Sequence, residues 1–268
     1  MTRRDLNARP GSRRSDVPID VVIAAAERDL ATLPLVVSGA RRNVLHPIRR
    51  IYVVARAASG TMSLCRKEGW EFVDEDTVLP IRAKDVAYTV AGIDRAGWLF
   101  AQLLKLSAPD IGTAEHCLIV DADTVFIRPQ VFRDGARTIL NWSDEYHRPY
   151  YLAYARLLGT RPSLRISFVS HHMLVERRKI ATLRAAIEAR HRKAWHEAIL
   201  AVVDYAEFSG FSEYELYGHF VHDRFPHEVA LTYWYNKAMS RRDLVSLNEL
   251  ERAYADRYKS LSFHHYLA

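Results

Sequence analysis

Leu118-Ile-Val-Asp121-Ala-Asp123-Thr-Val-Phe126 reads as a buried strand that runs straight into two carboxylates. Three apolar residues in succession are the mark of a strand covered on both faces. Ending such a strand in two unpaired acids is costly, because like charges at close range repel each other and resist losing water. A divalent cation relieves both penalties. The Asp-x-Asp spacing lets two side chains share one Mn2+ or Mg2+, and the ion can then bridge a diphosphate. The competing reading is a surface turn whose aspartates cap the next element. Position favours the metal, since ligands of open α/β sheets bind beyond the carboxyl ends of strands.

Upstream, Ile19 to Ala26 (IDVVIAAA) is a continuous apolar run suited to a parallel strand buried on both faces. Glu27 to Val44 has helical spacing, with Pro34 confined to its first turns. Arg50–Ala55 and Trp70–Val73 read as strands with a helix at Ser63–Gly69 between them, so the opening is β-α-β-α-β. Gly97–Ser107 is strongly helical and precedes the Asp-x-Asp strand. Downstream, residues 137–142 and 164–175 hold strand-like runs, Ile180–Ala206 a helix broken once, and Arg241–Tyr258 an amphipathic helix. Composition shifts near residue 130 from regular alternation to aromatic-rich, irregular sequence. The expected organisation is a basic tail over 1–16 and one domain over 17–268, with its halves at 17–130 and 131–268.

The bulk numbers narrow the function. With 49 % apolar and 26 % charged residues in 268, the chain has the balance of a soluble globular protein. It has only 11 glycines, and the closest pair, Gly92 and Gly97, is followed by Trp98 and Leu99. That excludes a P-loop, and no G-x-G-x-x-G exists to form a dinucleotide fingerprint. A bound nucleotide must have its phosphates held by something other than a glycine loop. Of the formal charge of +6, half lies in Met1–Asp16, where five arginines face two aspartates. The body is therefore nearly balanced, which argues against nucleic acid as a partner. The tail reads either as a solvated, disordered end or as an electrostatic contact with an anionic membrane surface. Cys65 and Cys117 form no C-x-x-C and read as reduced core thiols of a cytoplasmic protein.

A D-x-D after a buried strand, closing a β-α-β-α-β half, resembles the GT-A glycosyltransferases. More narrowly, Gly97-Trp98 with Gln102 and Leu104-Lys105-Leu106, LIVDADTVF, SFVSHHM and FSEYELYG are similar to a bacterial family of polysaccharide glycosyltransferases. The resemblance spans about residues 19 to 220, and the D-x-D block is its most specific part. It implies a single α/β, GT-A-like (Rossmann-like) domain with a mostly parallel central sheet flanked by helices. It also implies sugar transfer from a nucleotide-sugar, a UDP-sugar foremost, to a carbohydrate or lipid-linked glycan acceptor in surface polysaccharide synthesis. Asp121 and Asp123 would then hold Mn2+ or Mg2+ on the donor's diphosphate. Two other readings stay open. One is a non-catalytic carbohydrate- or polyanion-binding protein of the same fold. The other is a haloacid-dehalogenase-type phosphatase, whose D-x-D-x-T/V pattern Asp121, Asp123 and Val125 satisfy, but whose motif normally lies on the domain's first strand.

Further candidates follow from the same likeness. Trp98, Gln102 and Lys105 share a helix face at i, i+4, i+7, placing Lys105 near phosphate and Gln102 near a sugar hydroxyl, or else simply packing and solvating a helix. Asp94 and Arg95 either contact the donor or form a local turn. In Ser170-His171-His172-Met173, alternation sends the histidines to opposite faces, so one of His171 and His172 points into a cleft for acceptor contact or catalysis. Glu213 is the expected acceptor-activating base, with Glu215 second; Glu215 also has the spacing of a capping-box partner for Ser212. His264 or His265 is the expected third metal ligand. Tyr146, Tyr150, Tyr151 and Tyr154, with Asn141 and Trp142 before them, form either a sugar platform or core.

Overall fold

β1 (Ile19–Ala24) forms the middle of the molecule because its side chains alternate between two separate apolar cores. Ile19, Val21 and Ile23 enter one core and Val22 the other. Burial of each such side chain is worth about 1.5–3 kcal/mol, so the strand is strongly held in register. Asp20, fully buried within the run, is not left bare: its Oδ2 accepts the backbone N–H groups of Thr113 and Ala114 at 2.6 and 2.8 Å. The computed structural model describes residues 14–57 and 60–267. Residues 1–13, most of the expected basic tail, lie outside the described residues. At the start of the described chain, the Ser15 N–H donates to Leu45 O.

After β1 come α1 (Leu33–Asn43), β2 (Ile48–Ala55), α2 (Gly60–Glu68) and β3 (Glu71–Asp74). Pro34 sits in the first turn of α1, where its missing N–H costs nothing. A small hairpin, β4 (Thr89–Val90) and β5 (Ile93–Asp94), leads to α3 (Ala96–Leu106), the single turn α4 (Ala108–Ile111) and β6 (His116–Val120). The second half contributes β7 (Thr124–Phe126), β8 (Arg133–Asp134), β9 (Arg137–Trp142), α5 (Arg148–Leu158), β10 (His172–Glu176), α6 (Arg177–His191) and α7 (Trp195–Val202). It ends with α8 (Glu213–Arg224), β11 (Val229–Tyr233), β12 (Asn236–Ser240), α9 (Leu247–Tyr254) and β13 (Ser260–His264).

The central sheet has the order β10-β6-β1-β2-β3 and is parallel except for β10. It is the expected α/β architecture, with helices on both faces. α1 packs on one face, and α3 with α5 to α8 on the other. The chain steps outward from β1 to β3 and then returns to place β6 on β1's other side. Such a reversal opens a crevice at the strands' carboxyl ends, where β6 delivers Asp121. β10 comes from the second half, so the two halves share one sheet.

Beyond Asp121 the chain leaves that sheet. β7 pairs antiparallel with β13, which pairs with β12, and this second sheet carries the chain's last strand to the Asp-x-Asp turn. α1 crosses β7 closely enough that a Cβ on Gly39 would lie 2.7 Å from Phe126 O. No described helix is long and apolar enough to cross a membrane. Both cysteines are free and buried.

Two expected elements differ. Ile166–Val169 is not a strand; its regular pairing is a single bridge between Ser143 and Ser167. Glu215 instead accepts from Ser167 Oγ (2.6 Å) and the Phe168 N–H (3.0 Å), so a carboxylate replaces a neighbouring strand as partner. The helix expected over 241–258 is confined to Leu247–Tyr254, started by a Ser246/Glu249 capping box; residues 241–243 form a separate 3-10 turn.

Candidate active site

The turn Asp121-Ala122-Asp123 is pinned from three directions. The Asp121 N–H donates to His171 O at 2.9 Å, Thr32 Oγ donates to Ala122 O at 2.7 Å, and the Phe263 N–H donates to Asp123 O at 2.8 Å. These contacts join the segment before β10, the start of α1 and the end of β13. The turn's two side chains therefore meet groups that lie far apart in sequence.

Lys105, in the last turn of α3, puts its Nζ 2.6 Å from Asp121 Oδ1 and 2.7 Å from Glu213 Oε1. It also lies 4.7 Å over the ring of Tyr214. Tyr214 donates its hydroxyl to Asp121 Oδ1 at 2.7 Å, and His171 Nδ1 lies 3.2 Å from Asp121 Oδ2. The other nitrogen of His171 is 3.1 Å from Glu145 Oε1. His264, the last residue of β13, brings Nδ1 to 3.2 Å from Asp123 Oδ2, and its ring lies 5.3 Å from that of His171.

The charges follow from counting. Burial works to strip the proton from Lys105, but Asp121 and Glu213 outweigh it and hold the ammonium charged, with its pKa raised. Burial likewise opposes ionisation of Asp121, yet Lys105 and His171 press its pKa well below the usual carboxylate range. One ammonium cannot offset two acids. Glu213, only 1 % exposed and near the negative Asp121, is pushed by burial toward its neutral form. Burial alone would lower His171, but its bonds to Asp121 and Glu145 raise it to about 10, so it is an imidazolium.

Not every expected residue reaches this centre. Lys105, Asp121, Asp123, Glu213, His171 and His264 come together. Gln102 is buried in α3, its amide 3.4 Å from Trp98 O, and Trp98 packs beneath the Arg95 guanidinium and against Tyr88. Of that helical stripe, only Lys105 touches the carboxylates. Asp94, exposed, accepts the Ala96 N–H at 2.8 Å at the start of α3 and does not touch the central carboxylates. His172 is held between Ser170 O (2.7 Å) and Asn141 Oδ1 (3.0 Å) against Trp234, and burial drives its pKa down to about 3. It is a neutral core residue and the substrate expectation passes to His171, whose φ of +63° turns it onto Asp121. Glu215 is a buried tether, spent on Ser167, Phe168 and His219. Tyr150 is half-buried near Glu213, bonded to Ser209, with burial pushing its pKa up to about 12.

Tyr214 and Glu145 were not foreseen. Tyr214 stands between the two glutamates that drew attention, and Glu145 follows the end of β9 much as Asp121 follows β6. A polar group just past an apolar strand was the available signal for Glu145.

Among the described residues, no three His, Cys, Asp or Glu side chains converge as a ready metal cage. The donor chemistry nonetheless fits a hard divalent cation. Asp123 and His264 supply an adjoining carboxylate and imidazole, while Asp121 has Oδ1 taken by Lys105 and Tyr214 and would share Oδ2 between His171 and the cation.

Residues 51–267 match the model of a family of unknown function, DUF6492, and the chain belongs to that family. Among curated proteins none matches the sequence. Among solved structures, apo mouse xyloside xylosyltransferase 1 is similar with TM-score 0.48 and 14 % identity, over 95 % of this chain and 99 % of that one. Galactosyltransferase LgtC with donor and acceptor sugar analogs gives 0.47 and 15 %, over 91 % and 86 %. Glucosyl-3-phosphoglycerate synthase from Mycobacterium tuberculosis, in complex with Mn2+, UDP and glucosyl-3-phosphoglycerate, gives 0.42 and 14 %, over 81 % and 70 %. At such values, roles for individual residues have to come from the site itself.

Proposed function

We propose that this protein is a divalent-cation-dependent glycosyltransferase that moves a sugar from a nucleotide-sugar, a UDP-sugar foremost, to a carbohydrate or lipid-linked glycan acceptor in bacterial surface polysaccharide synthesis. The observation that carries the reading is the Asp121-Ala-Asp123 turn at the carboxyl end of β6, met by His264 from the last strand and by Lys105 from α3. A departing nucleoside diphosphate gathers negative charge and needs fixed positive charge beside it. Asp123 and His264, with Oδ2 of Asp121, would hold Mn2+ or Mg2+, whose chemistry there is to neutralise the diphosphate.

The chain's own groups prepare that role. Lys105 and His171 keep Asp121 ionised, so a ligand carboxylate stands ready at neutral pH. Tyr214 and Lys105 fix its orientation through Oδ1. Glu213 holds Lys105 in place, and its buried Oε2 has no hydrogen-bond partner among the described residues, which supports contact with a hydroxyl of the donor sugar. The arginines of the first fourteen residues support action in the cytoplasm at an anionic membrane surface.

The deciding measurement is thermal unfolding with UDP and GDP, each with and without Mn2+. The expected result is a rise in Tm that needs nucleotide and metal together and disappears in Asp123→Ala. No metal-dependent stabilisation by either nucleotide would overturn the reading.

A further inference from the structure

Glu213 is buried at 1 % exposure with Oε1 clamped on Lys105, which leaves its free Oε2 to the donor sugar rather than to an acceptor arriving from solvent. The carboxylate that does face outward is Glu145, with its side chain 47 % exposed. Its Oε1 is fixed by His171 Nε2, and its N–H donates to Ser143 Oγ at 3.2 Å. Glu145 is thus the solvent-side end of a rigid line that begins at Asp121.

Exposed aromatic rings are linked to this carboxylate through short chains of ring contacts. Tyr146, the next residue, is 53 % exposed, and Tyr235 is 48 % exposed. The ring of Tyr235 lies 4.6 Å from that of Tyr233, which in turn lies 4.7 Å from Trp142. Tyr266, 68 % exposed, stacks on His264 at 5.0 Å with the planes 7° apart. The His264 ring in turn lies 5.3 Å from the ring of His171, whose Nε2 meets Glu145 Oε1 at 3.1 Å. Large exposed rings linked to one fixed carboxylate suit a ligand with an apolar face and a polar edge. A pyranose has both: its C–H face stacks on an aromatic ring while its hydroxyls bond to the acid.

We infer that Glu145, Tyr146, Tyr235 and Tyr266 form the acceptor subsite, which takes a pyranose residue, and that Glu145 is the catalytic base. The inference rests on the glycosyltransferase reading. In an inverting displacement, the acceptor O–H gives its proton to Glu145 Oε2, and the freed oxygen pair bonds to C1 of the donor sugar. The bond from C1 to the diphosphate oxygen breaks, and its electron pair leaves with the diphosphate. Of the expected cluster of Tyr146, Tyr150, Tyr151 and Tyr154, Tyr154 is buried, Tyr150 and Tyr151 are half-buried with the Tyr151 hydroxyl on Ile166 O, and Tyr146 is the most open.

The test uses the full chain with methyl β-D-glucopyranoside, methyl β-D-galactopyranoside and methyl α-D-mannopyranoside as probes, read by saturation-transfer NMR. At least one should bind the wild type, and Tyr235→Ala and Tyr266→Ala should each weaken it by up to about tenfold. In Glu145→Gln, UDP·Mn2+ binding by calorimetry should be unchanged. UDP release from UDP-glucose or UDP-galactose with the bound glycoside should fall at least about 10²-fold in kcat, with the acidic limb of the pH profile lost and partly restored in Glu145→Asp. Absence of any glycoside signal in the wild type, unchanged signals in both tyrosine variants, or wild-type kcat in Glu145→Gln would overturn the inference. Failure of the wild type to bind UDP·Mn2+ would sink the nucleotide-sugar reading instead, and loss of glycoside binding in the tyrosine variants would still uphold the subsite.

Discussion

Lys105 and Lys179 are both buried against two carboxylates, yet their surroundings are opposite. Lys179, fully buried, lies 2.7 Å from Glu176 Oε1 and 3.3 Å from Glu228 Oε2. Glu176 also receives Arg133 at 3.1 Å and the Thr138 hydroxyl, and these donors hold its pKa below the usual range against the burial that would raise it. Arg178 also reaches Glu228 Oε2 at 2.6 Å, so among the described residues three cations face two acids and none of the buried carboxylate oxygens is orphaned. Around Lys105, two cations, Lys105 and His171, face three acids, Asp121, Glu213 and Glu145; Glu213 is left with an unpartnered oxygen, and Asp121 remains 21 % exposed. A buried charge cluster that closes on itself is structural; one with surplus acid and an opening is built to receive something.

The sharpest way to break this contrast is to remove each lysine. Lys179→Met should destabilise by about 3–5 kcal/mol, because it strands buried carboxylates in a closed cluster. Lys105→Met should cost about 1–2 kcal/mol, since Asp121 keeps Tyr214 and His171 and Glu213 already favours its neutral form, while turnover falls by more than about 10²-fold. Urea denaturation and UDP release read the two effects. Equal stability losses would dissolve the distinction.

Glu213→Gln and Glu176→Gln form the next pair. The first replaces an acid that burial already pushes toward neutrality, so stability should change by less than about 1 kcal/mol. The second leaves Lys179 and Arg133 facing a neutral amide and should cost about 2–3 kcal/mol. A larger loss in the first than in the second would reverse the assignment of roles.

Neighbouring histidines offer a smaller version of the same contrast, read through pH. His172 has a folded pKa of about 3 against an ordinary 6.5, so the unfolded chain binds the extra proton and stability falls as pH drops through that window. His171, raised to about 10, adds stability that is complete below 6.5 and lost as pH climbs toward 10. Each slope is at most about 1.4 kcal/mol per pH unit. His172→Gln should flatten the acid limb of a stability–pH curve and His171→Gln the alkaline limb. Loss of the same limb in both variants would refute their separation into core and site.

How legible this was in the sequence depended on the range of the interaction. β1, β2, β6 and their helices were readable because burial on both faces writes itself into consecutive apolar residues, whereas β3 is a half-buried edge strand read from its apolar pair Phe72-Val73. Asp121 and Asp123 were readable because charges at the end of such a strand break the pattern. The pairing of Lys105 with Glu213 was not, since their contact joins α3 to α8 and no periodicity links them. His171 and His172 do point apart, but strand alternation is not the cause: His171 precedes β10, and its left-handed backbone turns it onto the acids. Ile166–Val169 looked like a strand because its apolar alternation is real, while its backbone partner is the Glu215 side chain.

Asp94 separates local from long-range roles at the smallest scale. It was expected at the donor site, yet its carboxylate accepts the Ala96 N–H at the start of α3. A capping aspartate contributes about 0.5–1 kcal/mol, because it satisfies an N–H that the helix itself leaves without a partner. α3 carries Lys105 at its other end, so fraying of the first turn should leave the Lys105–Asp121 contact unmoved. Asp94→Ala should therefore lower Tm by a few degrees at most, with KM for the nucleotide-sugar unchanged, whereas Asp94→Asn should restore most of the stability. A rise in donor KM in both variants at constant Tm would return Asp94 to the donor site.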